Sequence, residues 1–383
     1  MVDFGGWHMP VQYAGGIIHE HLETRRWAGL FDVSHMGRFR LSDDSAEEFL
    51  CRTLTNDATL LAVGEAQYTL IANENGGAVD DAYLYKLADT DFLLVVNALN
   101  KDKDWRWLDD LNQGGVLISD ISDEMGMIAL QGPVAADLLE QIVDPAALPE
   151  DKRNRLTTVE VDGAPLIIAR TGYTGEAVCF ELFPEADRIV HLWQRLVDLG
   201  AKPIGLGARD SLRLEAGLPL YGHEFGDDTD GYEIPIFAIA LANFAVRTTG
   251  DTAFVGAKAL AAQREEFDLI KQDKIATPVD GLRLKRCVQP IAVFDGRRPL
   301  RAGQKVMVDG RLVGHVTSGT SVPYARTAPE GGYDMRPIGL ALIDSDLRYT
   351  EAGPVVLEIV DYRGNSVYAE LVKRNMSPGA VKL

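Results

Sequence analysis

Near residue 280 the helical pattern stops, and the chain beyond it is punctuated by hairpins. Asp309-Gly310 stands between Lys305–Val308 and a run from Arg311 to Thr317. Arg363-Gly364 stands between Val355–Val360 and Ser366–Leu371. Glycine in these pairs adopts the positive φ that a tight connection needs, so each run is expected to pair with the next. Residues 281–383 are therefore expected to form an all-β domain, a small barrel or sandwich.

Upstream, strands and helices alternate. Tyr68–Ala72 and Ala78–Tyr85 read as strands around the turn Asn73-Glu74-Asn75-Gly76-Gly77, with Asn and Gly supplying positive φ. Phe92–Asn97 is a third strand, and a helix is expected through Lys103–Leu111. Thr158–Val161 and Pro165–Ala169 flank the turn Asp162-Gly163, and residues 185–199 have helical periodicity. A helix over 19–28 is expected to end at Gly29. The order lacks the strict βαβ rhythm of a doubly wound sheet, so the class is α+β. Residues 263–280 are charged and patternless and read as a linker between a region 1–262 and the domain 281–383.

At 383 residues and 46% hydrophobic content, the chain can fill the cores of two or three domains. A formal net charge of -19 repels nucleic acid and anionic lipid, so neither is expected as a partner. Cys51, Cys179 and Cys287 lie in apolar surroundings and outside any CxxC pair, which reads as buried thiols rather than disulfides or zinc ligands. No apolar run approaches the roughly 20 residues of a membrane helix. The start Met1-Val2-Asp3-Phe4 lacks the pattern of a signal peptide, so a cytoplasmic setting is expected.

Several conventional chemistries are missing from the sequence. There is no GxGxxG, no phosphate-binding P-loop and no HExxH, so neither a flavin or dinucleotide nor a metal is expected. His19 and His21, two apart, do not share a helix face. Ser34-His35 and Ser318 lack the GxSxG context of a nucleophilic serine.

Three polar groupings remain. Asp80-Asp81 follows a hairpin turn on a strand, where successive side chains face opposite ways, so one carboxylate at most points into a given cleft. Such a carboxylate can accept a hydrogen bond from an amine or polarise a proton donor; the plainer reading is an exposed acidic pair. Arg170–Glu176 is a polar loop whose two glycines permit close approach and whose Tyr173 can stack on a flat ring. Glu181, between Phe180 and Leu182, needs a partner if buried, and a carboxylate can accept two parallel N–H bonds from an aminopyrimidine. Arg209 and Arg213 are four apart near a helix start, suited either to a ligand carboxylate or to nearby acids.

Taken together, these segments resemble the glycine cleavage T-protein (aminomethyltransferase) family. The resemblance is carried by Met1–Pro10 (MVDFGGWHMP), Gly29–Gly37 (GLFDVSHMG), Asn75–Asp81 (NGGAVDD), Thr171–Glu176 (TGYTGE), Gly205–Glu215 (GLGARDSLRLE), Leu218–Glu224 (LPLYGHE) and Thr317–Thr320 (TSGT). It spans nearly the whole chain, with the motifs in order. It implies a three-domain cloverleaf around a folate site, with two intertwined α+β domains within 1–262. It also implies a reaction in which the aminomethyl group on the lipoyl arm of the carrier H-protein meets tetrahydrofolate. Ammonia leaves, methylenetetrahydrofolate forms and reduced lipoyl is released. Tetrahydrofolate is then a co-substrate, and no metal or flavin is required.

By motif, Asp81 corresponds to the family's key acid at the reactive nitrogens of folate. Glu181 is expected to grip the pterin amino edge, Tyr68 and Asn97 to line the cavity, Tyr173 to stand in the matched loop, and Arg209 to hold the folate or order the acids. The chain departs from the family at Gly231–Phe237, at Thr320–Tyr324 with the extra loop Ala325–Met335, and in the tail Lys373–Met376. The altered segments 231–237 and 320–335 motivate an alternative, a folate-dependent demethylase acting on a small methylated donor. A folate-binding scaffold without transfer chemistry is opposed by the retention of Asp81, Glu181 and Arg209.

Overall fold

The computed structural model describes residues 1–113, 115–247, 253–275, 279–325, 332–349 and 353–373. The chain forms two compact units. One comprises Met1–Ile71, Val79–Arg209 and Ala245–Val255; the other comprises Ala72–Ala78, Asp210–Phe244 and Gly256–Leu383.

The first unit is built on two sheets. The five-stranded sheet runs Glu65–Ala72, Ala78–Ala88, Asp91–Val96, Gly37–Ser42, Ile118–Asp120. Phe39, Leu41, Leu84, Phe92 and Leu94 from its strands close over Phe49 and Leu50 of helix Ala46–Thr53 and Leu108 of helix Lys101–Asn112. Each such side chain, fully buried, contributes roughly 1.5–3 kcal/mol. In the second helix Asp104 is buried four residues before Leu108, hence on the same inward face. The six-stranded sheet runs Leu156–Val161, Ala164–Ala169, Cys179–Pro184, Ile128–Gln131, Gly29–Asp32, Lys202–Pro203, with only the last pair parallel. Leu138, Leu139, Leu192 and Leu196 from two helices cover it.

The second unit contains a closed barrel in the order Arg286–Ala292, Tyr333–Asp344, Arg311–Ala325, Lys305–Val308, Val356–Val360, Ser366–Leu371. Alternation fills it: Leu357 and Ile359 point in while their neighbours are exposed or half-buried. The fold class is the expected one, α+β with an all-β C-terminal barrel.

The Asp-Gly turns are two-residue connections between Val161 and Ala164 and between Val308 and Arg311. Both central residues have positive φ, 52 and 78 in the first and 49 and 77 in the second, as type I′ turns demand. At Asn75-Gly76 glycine alone takes positive φ, 86; the asparagine that matters is Asn73, whose Oδ1 accepts from the backbone N–H groups of Asn75 and Gly77.

Three expectations are corrected. The first helix runs Ile17–Arg26, and Gly29 is not its cap but the first residue of a buried strand. A Cβ there would lie 2.3 Å from Thr24 Oγ1, so close packing explains the glycine. Residues 263–280, expected as a linker, are helical as far as Lys271, in Ala257–Lys271. Leu260, Gln263, Phe267 and Ile270 make that helix's buried stripe, which charged neighbours mask in the sequence. The strand expected to end at Thr317 continues to Ala325. Residues 326–331 of the family-divergent loop, 374–376 of the tail and 276–278 of the expected linker lie outside the described residues.

Candidate functional site

The strand Ala78–Ala88 places Asp81, Tyr83 and Tyr85 on one face and Asp80 on the other. Its neighbour Asp91–Val96 runs antiparallel with Ala82 opposite Val96, so Asn97 emerges beside the Asp80-Asp81 pair. The backbone N–H of Asn97 donates to Asp80 Oδ2 at 2.9 Å. Its side-chain Nδ2 donates to Asp80 Oδ1 at 2.9 Å and to Asp81 Oδ1 at 2.7 Å. Tyr68 completes the hold on Asp81, its hydroxyl donating to Oδ2 at 3.0 Å.

The two carboxylates have different surroundings, as strand alternation requires. Asp80 is fully buried, while Asp81 is half-buried. Burial and then the negative charge of Asp80 push the Asp81 carboxyl up to about 7, against the opposing pull of its bonds to Tyr68 and Asn97. Such a group changes protonation near neutrality, where proton transfer is most effective.

A row of tyrosines connects this acid with a second one. The Tyr68 and Tyr83 ring centroids are 6.1 Å apart, and those of Tyr83 and Tyr85 5.5 Å. Tyr85 then donates to Glu181 Oε2 at 2.7 Å, and the Thr171 hydroxyl donates to the same oxygen. Glu181 sits mid-strand in Cys179–Pro184, opposite Ala169 and Ala129. Its carboxylate therefore finds the partners that its apolar neighbours in sequence cannot supply.

Arg209, in helix Leu206–Glu215, lies with its guanidinium 4.9 Å from the centroid of Tyr173. Burial lowers its pKa, while Tyr173 and Glu181 act in the opposite direction. Asp81, Tyr68 and Asn97 thus form one hydrogen-bonded group, and Tyr173, Glu181 and Arg209 are coupled through charge and ring contact. Tyr173 also bears on the Tyr68 hydroxyl, which burial and then Asp81 push well above its usual range.

Arg213 does not belong to this group. It ion-pairs with Asp210 at 2.8 Å and Glu224 at 3.2 Å and donates to Ser318 Oγ at 2.9 Å. Ser318 is thereby an internal hydrogen-bond partner rather than a free nucleophile. The Ser34 hydroxyl donates to the Met127 carbonyl at 3.0 Å, and His35 is buried, its pKa pushed down to about 3 by burial, then by Arg209 and Arg38. His19 is exposed and His21 buried, so they share no site. All three cysteines are free and buried.

Tyr83, Tyr85, Thr171 and Asn100 were not singled out from sequence. The two tyrosines stand two and four residues beyond Asp81, and period-2 counting along the strand finds both. Thr171 opens the matched motif Thr171–Glu176 without standing out in it, and Asn100 carries no comparable signal, its partner Asp80 lying twenty residues back. Among the described residues, no group of three or more His, Cys, Asp or Glu is arranged to hold a metal ion, and no helix is long and apolar enough to cross a membrane. The assembled groups are an acid raised toward neutrality, a second carboxylate held on Oε2, a cation and a wall of aromatic rings.

Residues 1–241 match the family model described as the GCVT N-terminal domain. A protein named Aminomethyltransferase from Deinococcus deserti is 41% identical over 346 residues, which is 90% of this chain and 85% of that protein. Its namesake from Thermus thermophilus is 41% identical over 372 residues, 97% of this chain and 93% of the relative. The crystal structure of glycine cleavage system aminomethyltransferase T from Bartonella henselae matches with a TM-score of 0.77 at 30% identity, covering 99% of this chain and 94% of that one.

Proposed function

The chain belongs to the aminomethyltransferase family of the glycine cleavage T-protein, and on that premise we propose that Asp81 is the acid–base residue of its one-carbon transfer. The chain is an enzyme, a transferase of one-carbon units; the family implies tetrahydrofolate as acceptor. The proposed donor is the aminomethyl group on the lipoyl arm of the H-protein, with ammonia and methylenetetrahydrofolate as products. A cytoplasmic setting is part of this reading and accords with three free, buried thiols.

The observation that carries the reading is the hold on Asp81. Tyr68 and Asn97 fix its two oxygens at 3.0 and 2.7 Å, and its titration near 7 lets it accept or return a proton at a folate nitrogen under neutral conditions. Glu181, whose bonds from Tyr85 and Thr171 fall on Oε2, is proposed to receive the amino edge of the pterin, and Tyr173 and Arg209 to flank the folate. The rest of the rate enhancement is ascribed to holding two substrates in register. All of these residues fall within 1–262, the proposed folate-binding region.

The test is turnover with tetrahydrofolate and aminomethyl-loaded lipoyl H-protein, following ammonia and methylenetetrahydrofolate together. Both products are expected from the wild-type protein. Asp81→Asn is expected to slow their formation by roughly a hundredfold or more. Unchanged turnover in Asp81→Asn would remove Asp81 from the assigned role.

A further inference from the structure

Behind Asp81 lies a second acid that the proposed reaction does not use. Asp104 sits in the first turn of helix Lys101–Asn112 and is wholly buried. Neither of its side-chain oxygens has a hydrogen-bond donor among the described residues. Its neighbour is the carboxyl of Asp80, itself fully buried, and the two side chains are within hydrogen-bonding reach. Two carboxylates facing each other in a dry interior repel, and neither can donate; one of them must carry a proton.

The donors around the pair decide which. Asp80 accepts from Asn97 N at 2.9 Å, Asn97 Nδ2 at 2.9 Å and Asn100 Nδ2 at 2.6 Å. Three N–H donors already satisfy its oxygens. Asp104 has none, so the proton resides on Asp104. The helix start favours an anion there, but only weakly compared with burial beside another carboxylate.

We infer that Asp104 is a positioning residue: a neutral carboxylic acid that donates its O–H to Asp80, which in turn holds Asn97 so that the same amide aims at Asp81. The hydrogen-bond chain is Asp104 to Asp80, Asn97 to Asp80, and Asn97 to Asp81. Burial, then Asp80, pushes the Asp104 carboxyl up to about 11; Lys103 opposes the shift and Asp81 adds to it. Asp104 thus remains an acid across the range in which Asp81 titrates.

The inference rests on the assignment of Asp81, and the test separates the two. At about pH 9, above the Asp81 titration and below that of Asp104, the infrared difference between wild type and Asp104→Asn is expected to show the C=O stretch of a protonated carboxylic acid. Asp104→Leu, which deletes the donor, is expected to lower kcat by about ten- to a hundredfold with KM for folate within about twofold. It should also move the rising limb of the pH profile upward, because the Asp80 charge, no longer shared with a proton, bears fully on Asp81. Asp104→Asn, whose amide supplies an equivalent donor, is expected to restore most of the lost kcat and to leave the limb in place.

Absence of the acid band overturns the inference, as do equal losses in the two variants or no loss in either. Should the leucine variant not fold, the band and the asparagine variant decide alone: a kcat more than about tenfold below wild type in Asp104→Asn refutes the donor role. An active Asp81→Asn enzyme defeats the assignment of Asp81 instead, whatever the band shows.

Discussion

The side-chain amide of Asn97 donates to Oδ1 of Asp81 at 2.7 Å, lies 3.2 Å from the Asp81 carbonyl, and reaches Oδ1 of Asp80 at 2.9 Å. One residue outside the strand therefore ties together two carboxylates that alternate across it. Asn97→Leu removes these side-chain bonds and leaves buried acceptors short of a donor, which costs about 1–3 kcal/mol in stability. It should also lower kcat by roughly ten- to a hundredfold, because Asp81 loses one of its two restraints. Steady-state kinetics beside a denaturant titration checks both, and an unchanged kcat excludes Asn97 from orienting Asp81.

The pH profile carries a sign. With the Asp81 carboxyl raised to about 7, its ionised fraction grows as pH rises through that value, so kcat/KM should climb there if the carboxylate is the working form. Asp80 is the second cause of the shift, so Asp80→Asn should move the limb to lower pH. A limb that stays in place in Asp80→Asn assigns the titration to another group.

Tyr85 donates to Glu181 at 2.7 Å, and Thr171 donates to the same oxygen. Tyr85→Phe should weaken folate binding by about two- to tenfold with little change in kcat, one hydrogen bond's worth of positioning. Glu181→Gln removes the charge itself and should weaken binding by roughly tenfold or more. Calorimetric titration with tetrahydrofolate measures each, and tight binding by Glu181→Gln argues against a pterin contact at this residue.

Asp104 imposes its own pH dependence on stability. Its carboxyl is raised from 3.8 in the unfolded chain to about 11 in the fold, so across that range the folded state holds the extra proton. Stability from this group is therefore fully present at low pH and declines as pH rises through the window. Asp104→Asn should flatten the slope, leaving the variant more stable relative to wild type at about pH 9 than at about pH 5. Urea unfolding at both pH values decides it; parallel slopes count against a protonated Asp104.

Gly29 tests the packing of the six-stranded sheet. An added Cβ would come within 2.3 Å of Thr24 Oγ1 and 2.9 Å of Ile204 Cγ1. Gly29→Ala is expected to cost about 1–3 kcal/mol through overpacking. Because Gly29 is extended strand rather than a left-handed cap, Gly29→Asn should be no better tolerated. Rescue by Asn points back to a cap.

Much of the fold was legible because it depends on short-range chemistry. Asp162-Gly163 and Asp309-Gly310 dictate their own turns, and Leu357 and Ile359 announce an inward face by spacing alone. The helix Ala257–Lys271 was not legible, because its stripe of Leu260, Gln263, Phe267 and Ile270 includes a polar residue and lies among charges. Gly29 misled for a similar reason: a glycine after a helix looks like a cap until its neighbours in space are known.

By itself the sequence determined the α+β region, the all-β character of the C-terminal domain, the family and the residue types at the site, since turns, periodicity and motif order are written along the chain. Tertiary structure alone decided which acids have partners. Strand alternation turns Asp81 and Asp80 to opposite faces, but what each one meets there, Tyr68, Asn97, Asn100 and Asp104, arrives from other segments. Arg213 likewise looked equivalent to Arg209 until Glu224 and Ser318 bound it. A carboxylate's titration depends on burial and on charges and donors a few ångströms away, and those distances exist only once remote segments pack together.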